Sequence, residues 1–275
     1  MTDWQGNIEV PGGTIYAEST GDGPPVVFVH AGVAHLRMWD EQVAALRDAY
    51  RVIAYDTRGF GRTRVADEVA YSNSADLGLV MDHFAADTAH VVGLSRGAQI
   101  ALDFAVNEPA RTRSLTWVAG GVRGLEVADD PRDVAAWEQS EPLIAIKDWP
   151  KLVEIETALW TDGPDQPSTR VDPDVRRRMV QWNLENYQAQ QSPEQHIAPT
   201  VVAAQALDQL TMPVLAMWGT LDVTSSVESG EWLAANVPAI RSRVFEGVAH
   251  MVNLERPAEF NQLLRDFLDE VESAA

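Results

Sequence analysis

Ala89-His90-Val91-Val92-Gly93-Leu94-Ser95-Arg96-Gly97-Ala98-Gln99-Ile100-Ala101-Leu102 decides how the rest of the chain is read. Its first part is an apolar run of the kind that forms a strand buried on both faces. Its last part has helical character. Between them stands G-x-S-x-G, from Gly93 to Gly97. Two glycines let the chain turn sharply from strand into helix and leave Ser95 exposed in a tight bend. The first N–H groups of the new helix have no intrahelical acceptor and point outward. The bare pattern fixes few positions, so its weight comes from the strand before it and the helix after it.

Working outward, Val26-Val27-Phe28-Val29, Arg51-Val52-Ile53-Ala54-Tyr55 and Leu115-Thr116-Trp117-Val118-Ala119 read as further buried strands. Helical stretches separate them. Trp39, Val43 and Leu46 share one face, and Ala98 to Asn107 continues the quoted segment. This alternation predicts an α/β fold, with a mostly parallel sheet and helices on both faces. Ile8 to Val10 and Thr14 to Glu18, around Pro11-Gly12-Gly13, are expected to add antiparallel strands at one edge.

The rhythm breaks after Gly120-Gly121. From there to about Leu210 the chain reads as helices joined by polar turns such as Asp162-Gly163-Pro164-Asp165-Gln166-Pro167. Strands resume at Pro213 to Trp218 and at Arg243 to Phe245. An amphipathic helix over 257–271 closes the chain, with Phe260, Leu264, Phe267 and Leu268 on one stripe. Residues 1–120 and 211–275 are therefore expected to form one α/β unit, interrupted by a helical insert over 121–210.

Composition narrows the chemistry. The chain has 275 residues, 41 acidic against 21 basic, a net charge of −20 and no cysteine. Disulfides, thiolate catalysis and cysteine-ligated metals are excluded. The acidity disfavours nucleic acid, whose binding needs a basic footprint. The N-terminus, Met1 to Asn7, lacks the basic and apolar regions of a secretory leader. No run approaches the length of a membrane span. No His/Asp/Glu cluster has metal-ligand spacing. The expectation is a cytoplasmic protein acting on a small molecule, with no cofactor, metal, nucleic acid or membrane partner.

A serine hydroxyl needs a neighbouring base. Among the six histidines, His83 and His90 lie at or before a strand and His196 in the insert. His30 and His35 sit at the end of the first buried strand and in the loop after it. His250, in Gly247-Val248-Ala249-His250-Met251, follows the last strand and is the candidate base. Asp222, in Gly219-Thr220-Leu221-Asp222, follows the preceding strand and is the candidate acid that orients it. The loop Ala119-Gly120-Gly121-Val122-Arg123, the other place for an acid, offers no carboxylate. The order Ser95, Asp222, His250 fits a strand–turn–helix nucleophile. Two backbone N–H groups should hold the oxyanion. One is that of Arg96. The other comes from His30-Ala31-Gly32-Val33, with Gly32 first and Val33 next.

Together these segments resemble the α/β-hydrolase superfamily, in particular its cap-bearing serine hydrolases. The resemblance rests on His30-Ala31-Gly32 with Trp39, Asp56-Thr57-Arg58-Gly59-Phe60-Gly61, Gly93 to Gly97, Gly219 to Asp222, and Ala249 to Pro257. It implies a mostly parallel eight-stranded sheet and a helical lid over the site, which would be 121–210. Two departures stand out: His30-Ala31 replaces the usual His-Gly, and Arg96 follows the nucleophile. Arg96 is expected to pair with one of the many acids, with substrate contact as the other reading. Arg176-Arg177-Arg178 is expected to form a solvated helix face, or else to anchor a substrate carboxylate. Of Trp137, Trp149, Trp160 and Trp182 in the insert, most should pack the lid. Candidate substrate contacts are Trp137 and Trp160, with His30, Val33 and Met251, although His30 also suits a strut for its loop.

The favoured activity is hydrolysis of a small, apolar carboxylic ester or lactone through an acyl-Ser95 intermediate. Two alternatives stay open. One is carbon–carbon bond hydrolysis, although Met251 stands where such relatives carry an aromatic residue. The other is a non-hydrolytic use of the fold as lyase, cofactor-free oxygenase or ligand sensor.

Overall fold

The computed structural model describes residues 3–65, 69–189 and 196–274, so Met1 and Thr2 of the leader reading lie outside it. The chain opens with the hairpin β1 (Trp4–Val10) and β2 (Gly13–Thr20), then β3 (Pro25–Val29), α1 (Asp40–Leu46), β4 (Arg51–Tyr55) and the short β5 (Arg64–Val65). There follow α2 (Asn73–His83), β6 (Ala89–Leu94), α3 (Arg96–Asn107) and β7 (Thr112–Val118). Three helices come next: α4 (Pro131–Ile146), α5 (Trp149–Thr157) and α6 (Pro173–Ala189). The last elements are β8 (Val214–Gly219), α7 (Thr224–Asn236), β9 (Arg241–Phe245), α8 (Val252–Glu255) and α9 (Pro257–Ser273).

The sheet runs β1-β2-β4-β3-β6-β7-β8-β9, with β5 attached to β2. This is the expected eight-stranded, mostly parallel sheet plus a two-residue strand too short to leave a pattern in the sequence. β1 and β2 are antiparallel to each other, β2 is antiparallel to β4, and every pair from β4 to β9 is parallel. The parallel arrangement brings the carboxyl ends of β3, β6, β8 and β9 to one edge. That edge is where open α/β sheets bind their ligands.

Helices cover both faces. One core joins Val27, Val29 and Val91 of the sheet to Ala101, Phe104 and Ala105 of α3. The other joins Phe28, Val92 and Met217 to Trp39 and to Phe260, Leu264, Phe267 and Leu268 of α9. Their i, i+4, i+7, i+8 spacing turns one stripe of α9 inward. Each of these side chains contributes about 2 kcal/mol by leaving water. Asn253 donates to the Met38 carbonyl at 2.9 Å and to Gln42 at 3.1 Å, tying α8 to α1.

Within 121–210, Val122, Ala203 and Ala206 are buried in the α3-side core. The ends of that segment therefore pack with the sheet, while α4, α5 and α6 carry the rest. Asp130 caps α4 by accepting the Arg132 N–H at 2.8 Å, with Pro131 in the first turn, where its missing N–H costs nothing. Among the described residues, no helix is long and apolar enough to cross a membrane.

Candidate active site

Ser95 lies between β6 and α3 with φ of 58°. An L-residue reaches that region at a cost, so the surroundings must hold it there. They do so by close approach at the two flanking glycines. A Cβ on Gly93 would lie 2.1 Å from the Gly97 carbonyl oxygen, and one on Gly97 would lie 2.1 Å from that of Val29. Ser95 N–H donates to the Val118 carbonyl at 2.8 Å, and its own carbonyl accepts from Ala98 and Gln99 at 2.9 and 3.1 Å. The Arg96 N–H stands in the first helical turn, where no intrahelical acceptor exists.

Beyond β7, on the side away from β3, the ends of β8 and β9 carry the candidate acid and the candidate base. Asp222 follows β8, and both its carboxylate oxygens lie 2.9 Å from His250 Nδ1. The Val223 N–H donates to the same carboxylate at 2.7 Å. Both side chains are buried. A carboxylate can only accept, so Nδ1 carries the proton and Nε2 presents its lone pair. That Nε2 is buried with no hydrogen-bond partner among the described residues. The Trp160 ring covers the imidazole, its centroid 4.7 Å away.

On the other side of Ser95, Gly32 and Val33 follow β3 and are half-buried. His30 lies wholly inside the fold, which corrects its place among the substrate contacts. Its Nδ1 lies 2.7 Å from the Ala31 carbonyl, which can only accept, so Nδ1 is the protonated nitrogen. Nε2 then accepts from the Thr57 N–H at 3.0 Å, with the Thr57 hydroxyl at 3.1 Å. His30 is thus a strut between the loops after β3 and β4. Met251 is likewise sealed in the core, with no accessible surface for substrate. Trp137 lies on α4 and is 57% exposed.

Burial pulls the His30 imidazole down from its ordinary 6.5 to about 3. Between those values the unfolded chain binds a proton that the folded chain refuses. Stability therefore falls as pH drops through this window, by about 2 kcal/mol at pH 5 from this group. The expected result is that the His30 ring resonances do not titrate from about pH 8 to about pH 5. A midpoint between those limits would contradict the strut.

Arg96 departs from expectation. It pairs with no acid among the described residues. Its Nη1 donates to the Thr57 hydroxyl at 2.6 Å and its Nη2 to Asn73 Oδ1 at 3.1 Å, and its guanidinium carbon lies 4.7 Å from the Phe60 ring centre. The run 176–178 also divides. Arg177 is exposed beside Asp174, Arg178 reaches Glu41, and Arg176 turns inward to hold buried Asp162 at 3.0 Å.

Sequence reasoning missed Arg170. It donates to the carbonyls of Asp162 at 2.7 Å, Thr161 at 3.0 Å and Gly247 at 3.1 Å, and to the Glu255 carboxylate with both terminal nitrogens. Glu255 in turn accepts the Ala249 N–H at 2.9 Å. This clamp fixes the turn bearing Trp160 against the loop bearing His250. Arg170 has no motif around it, and Glu255 drew notice only as part of the segment after His250.

Comparison with known proteins agrees with this architecture. The chain is 24% identical over 253 residues to 3-oxoadipate enol-lactonase 1 of Acinetobacter baylyi, covering 91% of each protein. It is 27% identical over 275 residues to 2-hydroxy-6-oxo-6-phenylhexa-2,4-dienoate hydrolase of Burkholderia cepacia, covering 92% of this chain and 91% of the relative. Among solved structures, Est816, described as an N-acyl homoserine lactone degrading enzyme, superposes with a TM-score of 0.72 at 27% identity, covering 95% of this chain and all of that one. A family model described as alpha/beta hydrolase fold matches residues 24–257. The chain belongs to the alpha/beta hydrolase fold family.

Proposed function

We propose that this chain is a serine hydrolase that cleaves a small carboxylic ester or lactone through an acyl-Ser95 intermediate. The observation that carries the reading is the buried His250–Asp222 contact, with His250 Nε2 unpartnered among the described residues at the sheet edge that holds Ser95. In the first step His250 Nε2 takes the Ser95 proton as Oγ attacks the carbonyl carbon. The oxyanion receives the backbone N–H groups of Gly32 and Arg96. Asp222 stabilises the imidazolium, which returns its proton to the departing alkoxide. Water activated by His250 then attacks the acyl-serine, Ser95 is released, and the acid product leaves.

The helices α4, α5 and α6, with the helical turn Ala158–Asp162 between the last two, act as the lid. Trp160 is the lid residue set against His250, and it supports an apolar acyl or alcohol group. Lactone names among the relatives support the substrate class. The test is a panel of p-nitrophenyl esters and γ-lactones followed from the first turnover. The expected result is turnover of the short esters or the lactones, with a burst of about one p-nitrophenolate per chain if deacylation is the slower step. Absence of turnover on every ester and lactone by folded protein would contradict the reading.

A further inference from the structure

Most arginines inside this fold are matched to carboxylates. Arg58 holds Asp76 with two bonds of 2.7 and 2.9 Å, Arg123 holds Asp103 at 3.1 Å, Arg176 holds Asp162 and Arg170 holds Glu255. Two half-buried arginines depart from that pattern among the described residues: Arg51, which donates to Ser19 and the Phe84 carbonyl, and Arg96, directly after Ser95. The named partners of Arg96, the Thr57 hydroxyl and the Asn73 amide oxygen, are both neutral. The Phe60 face adds a favourable quadrupole but no charge. Asp76, the acid whose field reaches Arg96, is already engaged on both oxygens by Arg58.

A cation withdrawn from water without a counter-ion is costly, and arginine does not escape by losing its proton. Burial accordingly works against the charged form of Arg96. The residue is nevertheless only half-buried. Thr57 and Asn73 account for two of its N–H donors, out of the five that a guanidinium has. The stem lies against the oxyanion loop: a Cβ on Gly32 would meet Arg96 Cδ at 3.6 Å and Cβ at 3.8 Å. His30 on that side is neutral and adds no charge. An acid-rich chain thus leaves a guanidinium beside its nucleophile with no acid on it among the described residues.

We propose that the Arg96 guanidinium is the anion-recognition group of this site, and that the natural substrate carries a carboxylate which Arg96 binds while Ser95 faces the scissile carbonyl. The proposal rests on the serine-hydrolase reading and names its substrate class. Carboxylate and guanidinium match as planar partners with charge-assisted bonds. The net charge of −20 opposes a distant anion, but such fields are screened within about 8 Å at physiological salt. Selectivity therefore comes from contact.

The test compares two esters of equal chain length, the mono-p-nitrophenyl ester of glutarate, with a free carboxylate, and p-nitrophenyl valerate, with none. Wild type is expected to favour the anionic ester in kcat/KM by about 10- to 100-fold, the range of a hydrogen bond to a charged group. In Arg96→Gln the ratio between the two esters should fall to near unity, whatever happens to the absolute rates. A wild type with no preference, or a variant that slows both esters while keeping the ratio, overturns the proposal and makes Arg96 a brace. Calorimetry on the wild-type chain provides a readout that needs neither a variant nor turnover: glutarate is expected to bind and glutaramide is not. Glutarate binding without hydrolysis of any ester would sink the hydrolase reading and keep only the carboxylate-recognition role of Arg96. Ester hydrolysis without charge preference would do the reverse.

Discussion

Replacing Ser95 with alanine is expected to lower kcat/KM on short esters by about 10³-fold or more. The substitution removes only Oγ. It keeps the Cβ, and alanine carries the same cost at φ of 58° as serine, so the bend between β6 and α3 has no new reason to relax. Gly93 and Gly97 still press their neighbours to 2.1 Å from any added Cβ, and the Val118 carbonyl still holds the residue's N–H. The melting temperature should stay close to that of the parent. Residual turnover would come from the oxyanion donors and binding alone. A variant that melts like wild type and hydrolyses esters at a near-parental rate would contradict an acyl-Ser95 intermediate.

Asp222→Asn is expected to cost about 10⁴-fold in kcat with a much smaller change in KM. The carboxylate accepts from His250 Nδ1 through both oxygens and from the Val223 N–H. An amide can keep one acceptor and must turn its NH2 elsewhere. If the NH2 faces His250, the imidazole flips its tautomer and Nε2 loses the lone pair that takes the serine proton. If the oxygen faces it, Nδ1–H is kept but the charge that steadies the imidazolium is gone. Steady-state kinetics beside a melting curve separates this from unfolding. A loss of less than about tenfold would remove Asp222 from the mechanism.

Much of the site was legible because its parts are tied to backbone geometry. A buried apolar run followed by Gly93 and Gly97 leaves few conformations for Ser95. The runs around Val27 and Leu215 are apolar at every position, and that around Val92 at all but His90, because both faces are covered, so parallel strands could be read without knowing their neighbours. Asp222 and His250 follow such strands directly, and strand ends fix what stands at the sheet edge.

What escaped the sequence depends on partners far apart in the chain. Arg170 and Glu255 meet across 85 positions with no local pattern at either end. Helix α2 went unread because Gly78 and the small residues at its start dilute the periodicity of Leu77, Val80 and Met81. His30 and Met251 stand beside functional loops yet point inward, and adjacency in sequence carries no information about facing. Arg96 was expected to find an acid because acids are plentiful. Its actual neighbours, from the loop after β4 and from α2, are set by folding rather than by composition.

The most direct measurement is the intact mass of the chain after exposure to a fluorophosphonate probe, read beside Ser95→Ala. A single adduct on the parent that maps to Ser95 and is absent from the variant is the result predicted for an activated nucleophile. An unmodified parent chain, shown to be folded, or an adduct that persists in Ser95→Ala, would contradict it.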